Sequence, residues 1–94
     1  MRRLNMEEEK FVSLEKLRTG ECGILRKYLS SSDLNHRLRE MGLTRGVTVL
    51  VERFAPFGDP MEIVVRGYHL SLRRGDASQI MVERIPNEDR VAGK

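Results

Sequence analysis

The chain contains no tryptophan, a single cysteine and no long run of apolar residues. One cysteine cannot build an internal disulfide framework, and a lone cysteine is typical of a protein in a reducing compartment. A membrane-spanning helix needs roughly 20 apolar residues, and no segment approaches that length. The first ten residues also lack the apolar core of a secretory signal. We therefore expect a cytoplasmic protein without direct membrane insertion.

The length and charge are those of one small, well-hydrated domain. Its 94 residues are 39% hydrophobic and 33% charged, with a net charge of +3. A domain of this size buries only about 60% of the surface of its unfolded chain, so a deep enzyme cleft is not expected. Both ends are polar, and we interpret 1–10 and 86–94 as flexible tails around an ordered domain at 11–85.

Short segments of alternating polarity predict β-strands. Tyr68, Leu70 and Leu72 alternate with polar residues, as in a strand with one face on a core and the other in water. Further strands are predicted at 21–28, 47–52, 61–65 and 80–84. Several short strands with one short α-helix inserted after the first predict a mainly β fold, a small SH3-like barrel.

The inserted helix is predicted after the serine-rich segment 30–33, whose side-chain oxygens can cap its first turn. Leu34, Leu38 and Met41 recur at the spacing of one helix face, so we expect Met41 to belong to the core. Gly42 can end the helix in a left-handed conformation. We expect Leu43, which follows that glycine, at the surface.

Glycine and proline predict the turns. Arg66 and Gly67 stand between two alternating segments and predict a tight reversal. The segment from Pro56 to Pro60 predicts a hairpin loop of defined shape, in which Gly58 can adopt a positive φ. We therefore expect four residues to set backbone shape, namely Gly42, Pro56, Pro60 and Gly67.

Four short motifs, in this order and spacing, resemble the FeoA family. They are Leu38-Arg-Glu-Met-Gly-Leu43, Ala55-Pro-Phe-Gly-Asp-Pro60, Val65-Arg-Gly67 and Leu72-Arg73. The resemblance covers nearly all of the expected ordered domain. It implies an SH3-like accessory protein of ferrous iron uptake that acts on the membrane transporter FeoB and its GTP-binding cytoplasmic region. The same module is similar to the C-terminal domain of DtxR-type repressors.

An accessory protein of this kind works through its surface. Phe57 stands at the tip of a proline-framed loop, and exposed aromatic residues are enriched at binding hot spots. The alternative is that Phe57 folds back over the end of the barrel. The residues that we expect to contact a protein partner are Arg37, Arg39, Leu43, Phe57, Gly58 and Asp59.

Metal binding is the first alternative function. Cys22, His36 and His69 are the available soft or borderline ligands, but their spacing matches none of the recognisable sites. We treat them as weak candidates for a metal sensor and expect no dedicated metal site and no cofactor.

Nucleic-acid binding, or a DtxR-like regulatory role, is the second alternative. The arginines are scattered among acidic residues, and the five aromatic residues do not interleave with a basic run. We therefore expect no nucleic-acid partner. No spacing of Ser, His and Asp suggests a catalytic site, so we do not expect an enzyme. The edge strands leave open a weak homodimer.

Overall fold

The computed structural model describes residues 10–86, which form six antiparallel strands and two α-helices. The strands are β1 (Phe11–Ser13), β2 (Cys22–Tyr28), β3 (Thr48–Phe54), β4 (Met61–Val65), β5 (Tyr68–Leu72) and β6 (Ile80–Ile85). The helices are α1 (Asp33–Glu40) and α2 (Arg74–Ala77), and a 3₁₀ turn (Leu14–Lys16) follows β1. Apart from Lys10 and Pro86, the predicted tails lie outside the described residues.

The strands form one sheet in the order β1-β6-β2-β3-β4-β5. The register shifts between Leu25 and Lys27 in β2, and between Val51 and Arg53 in β3. Such bulges increase the local bend and twist of a strand, so the sheet can curl around its core. The mainly β, SH3-like architecture is confirmed. The sequence predicted the helix after the first strand. In the structure α1 follows the second strand, because the short β1 precedes the segment that was predicted as the first.

One apolar core fills the inside of the curled sheet. Alternate residues of β4, namely Met61, Ile63 and Val65, are fully buried. The neighbouring strands and the 3₁₀ turn contribute further buried side chains, among them Leu14, Leu17, Leu25, Val49, Val51, Leu72, Ile80 and Val82. Burial of every second residue is what alternation predicts for a sheet with one covered face.

The N-terminus of α1 is capped as the sequence predicts. The Ser32 hydroxyl oxygen accepts a hydrogen bond from the backbone N–H of Asn35 at 3.1 Å. The Asn35 side chain is buried, and its Nδ2 donates to the carbonyl oxygen of Ser30 at 2.6 Å. These bonds satisfy an otherwise unpaired helix donor and a buried amide.

The C-terminus of α1 reverses the predicted exposures of Met41 and Leu43. Gly42 has a φ of +105°, its N–H donates to the Arg39 carbonyl, and the Leu43 N–H donates to the Leu38 carbonyl, both at 3.0 Å. This is a Schellman motif, which packs the residue after the glycine against the last helical turn. Leu43 is therefore fully buried, whereas Met41 is 48% exposed. Both predictions are wrong.

The turn between β4 and β5 is the predicted tight reversal. Arg66 and Gly67 have φ values of +53° and +86°, which identify a two-residue type I′ turn. Val65 lies opposite Tyr68 in the register. The turn sets the alignment of every pair in this hairpin.

Gly23 provides a test of how closely β2 and β6 pack. A Cβ at this position would lie 2.8 Å from Cγ2 of Val82 and 3.2 Å from Cδ1 of Leu17. Val82 is buried and β-branched, so it has little freedom to turn aside. We expect Gly23→Ala to lower the free energy of unfolding by about 1–3 kcal/mol in urea titrations.

A matched control is Gly75→Ala in α2, where an added Cβ meets no atom within 4 Å. This substitution should leave stability unchanged or raise it by up to about 1 kcal/mol, because alanine favours helix. Equal stabilities for Gly23→Ala and the wild type would show that the two strands have room for a methyl group.

Glu83 on β6 provides a test of pH dependence. Its Oε1 accepts a hydrogen bond from Arg26 Nε at 2.9 Å, and its Oε2 lies 3.5 Å from Lys10 Nζ. The hydrogen bond from Arg26, followed by the nearby positive charges, lowers the pKa of Glu83 below its ordinary value of 4.5. A lowered folded-state pKa stabilises the fold above the unfolded-state pKa and loses this contribution as the pH falls through the folded-state pKa.

We therefore expect Glu83→Gln to be less stable than the wild type at neutral pH. The difference in unfolding free energy should shrink as the pH falls below the Glu83 pKa, because the wild-type carboxylate then becomes protonated. Urea titrations at a series of pH values measure this difference. A difference that stays constant into the acid range would contradict the assignment.

Candidate docking surface

The loop between β3 and β4 holds an aromatic side chain in solvent. Phe57 at its tip is 99% exposed. The Ala55 N–H donates to the Pro60 carbonyl at 2.9 Å, and the Gly58 N–H donates to the Ala55 carbonyl at 2.7 Å. Gly58 has a φ of +89°, and the Asp59-Pro60 peptide bond is cis. These bonds close the loop on itself, and Phe57 does not fold back over the barrel.

Arg74 fastens this loop to the rest of the domain. Its backbone N–H donates to Oδ1 of Asp59 at 3.0 Å. Its guanidinium lies 5.3 Å from the centre of the Phe54 ring, and Nη2 lies 3.8 Å from Oε1 of Glu15. The side chain also lies close to the backbone of Gly58. One residue of α2 therefore holds the loop, the end of β3 and the 3₁₀ turn together.

A shallow groove of about 450 Å³ lies next to Arg74. Its lining combines charged and apolar side chains and consists of Glu15, Lys16, Leu17, Arg18, Thr19, Phe54 and Arg74. The charges at its rim have both signs. The groove is open to solvent.

The two arginines that the sequence predicts as partner contacts lie on α1. Arg37 and Arg39 are both exposed. The Arg39 guanidinium lies 4.5 Å from the centre of the Tyr28 ring, and the Tyr28 hydroxyl donates to the Leu43 carbonyl at 2.8 Å. Burial raises the pKa of Tyr28, and the Arg39 charge opposes this shift. The ring therefore orients Arg39, while the buried Leu43 contributes only its backbone.

Strand β5 runs between these two groups of residues. At its start, the Arg66 side chain lies close to Gly42, with Cδ 3.4 Å from an ideal Cβ position on that glycine. At its end, Arg74 binds Asp59. Five residues at about 3.4 Å each span roughly 17 Å. We call the end of α1, strand β5 and the 55–60 loop the docking surface.

Two exposed apolar residues on this surface were missed by sequence reasoning. Met41 lies at the C-terminal end of α1, and Tyr68, 60% exposed, begins β5. Alternation placed Tyr68 on the core face, and its neighbour Val65 is indeed buried. Tyr68 stays exposed because β5 is the last strand of the sheet and has no neighbour beyond it among residues 10–86.

The three weak metal candidates lie on different elements. Cys22 is half-buried on β2, His36 is exposed on α1, and Nδ1 of His69 on β5 lies 2.9 Å from Oε1 of Glu52. Within residues 10–86, no three His, Cys, Asp or Glu side chains lie together in a way that could hold a metal ion. Over the same range, no helix is long and apolar enough to cross a membrane.

Comparison with known proteins gives a consistent family match. The model of the FeoA domain family matches residues 12–84. A curated relative, the Fe(2+) transport protein A/Fe(2+) transporter FeoB fusion protein of Porphyromonas gingivalis, is 36% identical over 72 residues. That match covers 77% of this chain but only 8% of the fusion protein.

Solved structures share the fold. The solution structure of FeoA from Chlorobium tepidum is 33% identical, with a TM-score of 0.76 over 80% of this chain and 71% of that one. Stenotrophomonas maltophilia FeoA with zinc, described as an SH3 domain protein, is 23% identical, with a TM-score of 0.67 over 74% of this chain and 87% of its own. T. acidophilum IdeR is 21% identical, with a TM-score of 0.72 over 80% of this chain and 34% of its own. The last two show the fold alone.

The contrast between Phe57 and Leu43 can be tested by stability. Phe57→Ala should change the free energy of unfolding by less than about 0.5 kcal/mol, because its side chain is almost fully in solvent. Leu43→Ala should lower it by about 2–5 kcal/mol, because it leaves a cavity in the core. Urea titrations of both variants measure the contrast. Similar losses for both would contradict the assigned exposures.

Proposed function

Because the chain belongs to the FeoA domain family, we propose that it docks on the ferrous iron transporter FeoB. Docking from the cytoplasmic side modulates the activity or assembly of the transporter through protein contacts. The observation that carries this proposal is Phe57, which is 99% exposed on a loop held in place by hydrogen bonds. A monomeric domain gains nothing in stability from such a side chain, whereas an interface does.

The fusion protein of P. gingivalis supports the choice of partner. Its name joins Fe(2+) transport protein A and the transporter FeoB in one polypeptide. A tether keeps two modules at a high effective concentration, and contacts of sufficient affinity achieve the same association without one.

Phe57 has the physical properties of an interface anchor. Truncation to alanine of an aromatic residue in the centre of an interface often costs about 2 kcal/mol of binding free energy or more. The loop is already ordered by the Ala55–Pro60 and Asp59–Arg74 hydrogen bonds. Binding therefore costs little conformational entropy in the backbone.

The arginines favour an acidic partner surface. Among residues 10–86, Arg37, Arg66 and Arg73 are exposed and have no carboxylate within 4.0 Å. Arg39 is held over Tyr28 instead. Charges of this kind at the rim of an interface accelerate association and select partners of opposite charge. Modulation then follows if the docked domain makes different contacts with two states of the transporter.

The test is co-purification with detergent-solubilised FeoB from the same cell, with and without a GTP analogue. We expect the wild-type chain to be retained, and Phe57→Ala to weaken binding by roughly tenfold or more, because the anchor is lost. Dependence on the nucleotide identifies the state of the transporter that is recognised.

A matched control is Phe11→Ala, which removes a half-exposed phenylalanine on β1, at the opposite edge of the sheet. Its retention should equal that of the wild type. If Phe57→Ala and Phe11→Ala bind alike, the 55–60 loop is not the contact. If the wild-type chain is not retained in either nucleotide state, the proposed function is wrong.

A further inference from the structure

Strand β5 is an open edge of the sheet. Among residues 10–86 it pairs with β4 alone, and no strand pairs with its other side. The side chains of His69 and Ser71 on this strand are exposed. Natural proteins usually protect such edges by shortening the strand or by adding proline, a bulge or a lysine. The opposite edge, β1, is only three residues long. Strand β5 has five residues, an unbroken register with β4 and none of these devices.

The register identifies which backbone groups point outward. The type I′ turn bonds the Val65 carbonyl to the Tyr68 N–H, so this pair is a hydrogen-bonded one. Hydrogen-bonded and non-hydrogen-bonded pairs alternate along an antiparallel ladder. The pairs of His69 with Val64 and of Ser71 with Glu62 are therefore non-hydrogen-bonded. His69 and Ser71 therefore each direct their backbone N–H and carbonyl away from the sheet, which makes four outward groups in total.

The two faces beside this edge differ in polarity. Leu70 is half-buried and packs against the core, and the exposed Tyr68 lies on the same face. His69 and Ser71 are exposed on the other face, where His69 contacts Glu52. A strand added here would lie with alternate apolar side chains beside Leu70 and Tyr68. The edge therefore suits an extended segment of alternating polarity.

The charges at the ends of β5 decide between two occupants. Arg66 precedes the strand, and Arg73 and Arg74 follow it. A second copy that used all four outward groups would pair antiparallel, with His69 opposite Ser71. That register would bring Arg66 of one copy to the same end of the paired strands as Arg73 and Arg74 of the second copy, and like charges close together are unfavourable. An acidic segment would instead be attracted at both ends.

We propose that the β5 edge binds an extended segment of the partner protein by β-strand addition. The segment pairs with His69 and Ser71, has an apolar residue beside Leu70, and carries acidic residues towards Arg66 and Arg73. This proposal rests on the proposed function and names the contact through which docking occurs. The end of β5 leads into Arg74, which holds the Phe57 loop, so the added strand and the aromatic anchor form one continuous interface.

Proline at position 71 removes one outward N–H and leaves the hydrogen bonds to β4 in place. Proline is tolerated on edge strands where the N–H faces solvent. We expect Ser71→Pro to weaken retention on solubilised FeoB by roughly tenfold or more, since it removes one hydrogen bond and crowds the added strand. Phe11→Ala, on β1 at the opposite edge of the sheet, should bind like the wild type. Circular dichroism and urea titration establish that both variants fold.

A folded Ser71→Pro variant that binds like the wild type would overturn the proposal. If Phe57→Ala still weakens binding in that case, the proposed function stands and only the β5 contact is wrong. If the wild-type chain itself is not retained on FeoB, both proposals fail. Light scattering of the free protein tests whether a second copy occupies the edge instead. A homodimer that Ser71→Pro dissociates would assign the edge to a second copy and overturn the proposal of an acidic segment.

Hydrogen exchange gives a second readout, which needs no substitution. In the free protein, the amides of His69 and Ser71 should exchange faster than that of Leu70, which is bonded to β4. Addition of FeoB should slow exchange in the peptide that spans β5 by tenfold or more, because strand addition protects these two amides. Protection confined to the 55–60 loop, with β5 unchanged, would contradict strand addition.

Discussion

The close contact of β2 with β6 is the constraint on which the rest of the domain depends. Strand β2 pairs with β6 on one side and with β3 on the other, so it joins the terminal strands to the central hairpins. Gly23 permits this contact, because any larger residue would meet Val82 and Leu17. The same arrangement makes β5 the far edge of the sheet. The open edge is thus a consequence of how the core is closed.

The exposed features of the domain are held in place by contacts with the backbone and with neighbouring side chains. Phe57 stays in solvent because its loop is closed on itself and bound to Arg74. Arg39 stays over Tyr28, whose hydroxyl in turn binds the Leu43 carbonyl. A surface that is ordered before binding pays little entropy on association. This rigidity suits the docking role that we propose.

The fold was largely predictable because its signals are local. Alternation predicted the strands, and the glycines at positions 42 and 67 predicted the turns. Both glycines have a positive φ in the structure. The error at Met41 and Leu43 came from extending the helical spacing past the helix end. In a Schellman motif the residue after the glycine packs inward, and the Met-Gly-Leu order was itself the signal for that exchange.

The sequence by itself determined the strands, the turns and the family, since each depends on residue types at short spacing. Only the tertiary structure decided which residues share a surface. The contact of Asp59 with Arg74 joins positions 15 residues apart. The Arg66 side chain, in the turn between β4 and β5, lies close to Gly42 at the end of α1. The sequence left the exposure of Phe57 undecided, and alternation placed the exposed Tyr68 on the core face. An apolar residue is buried only where another element covers it. Which element covers which residue is set by the sheet order, and no local pattern encodes that order.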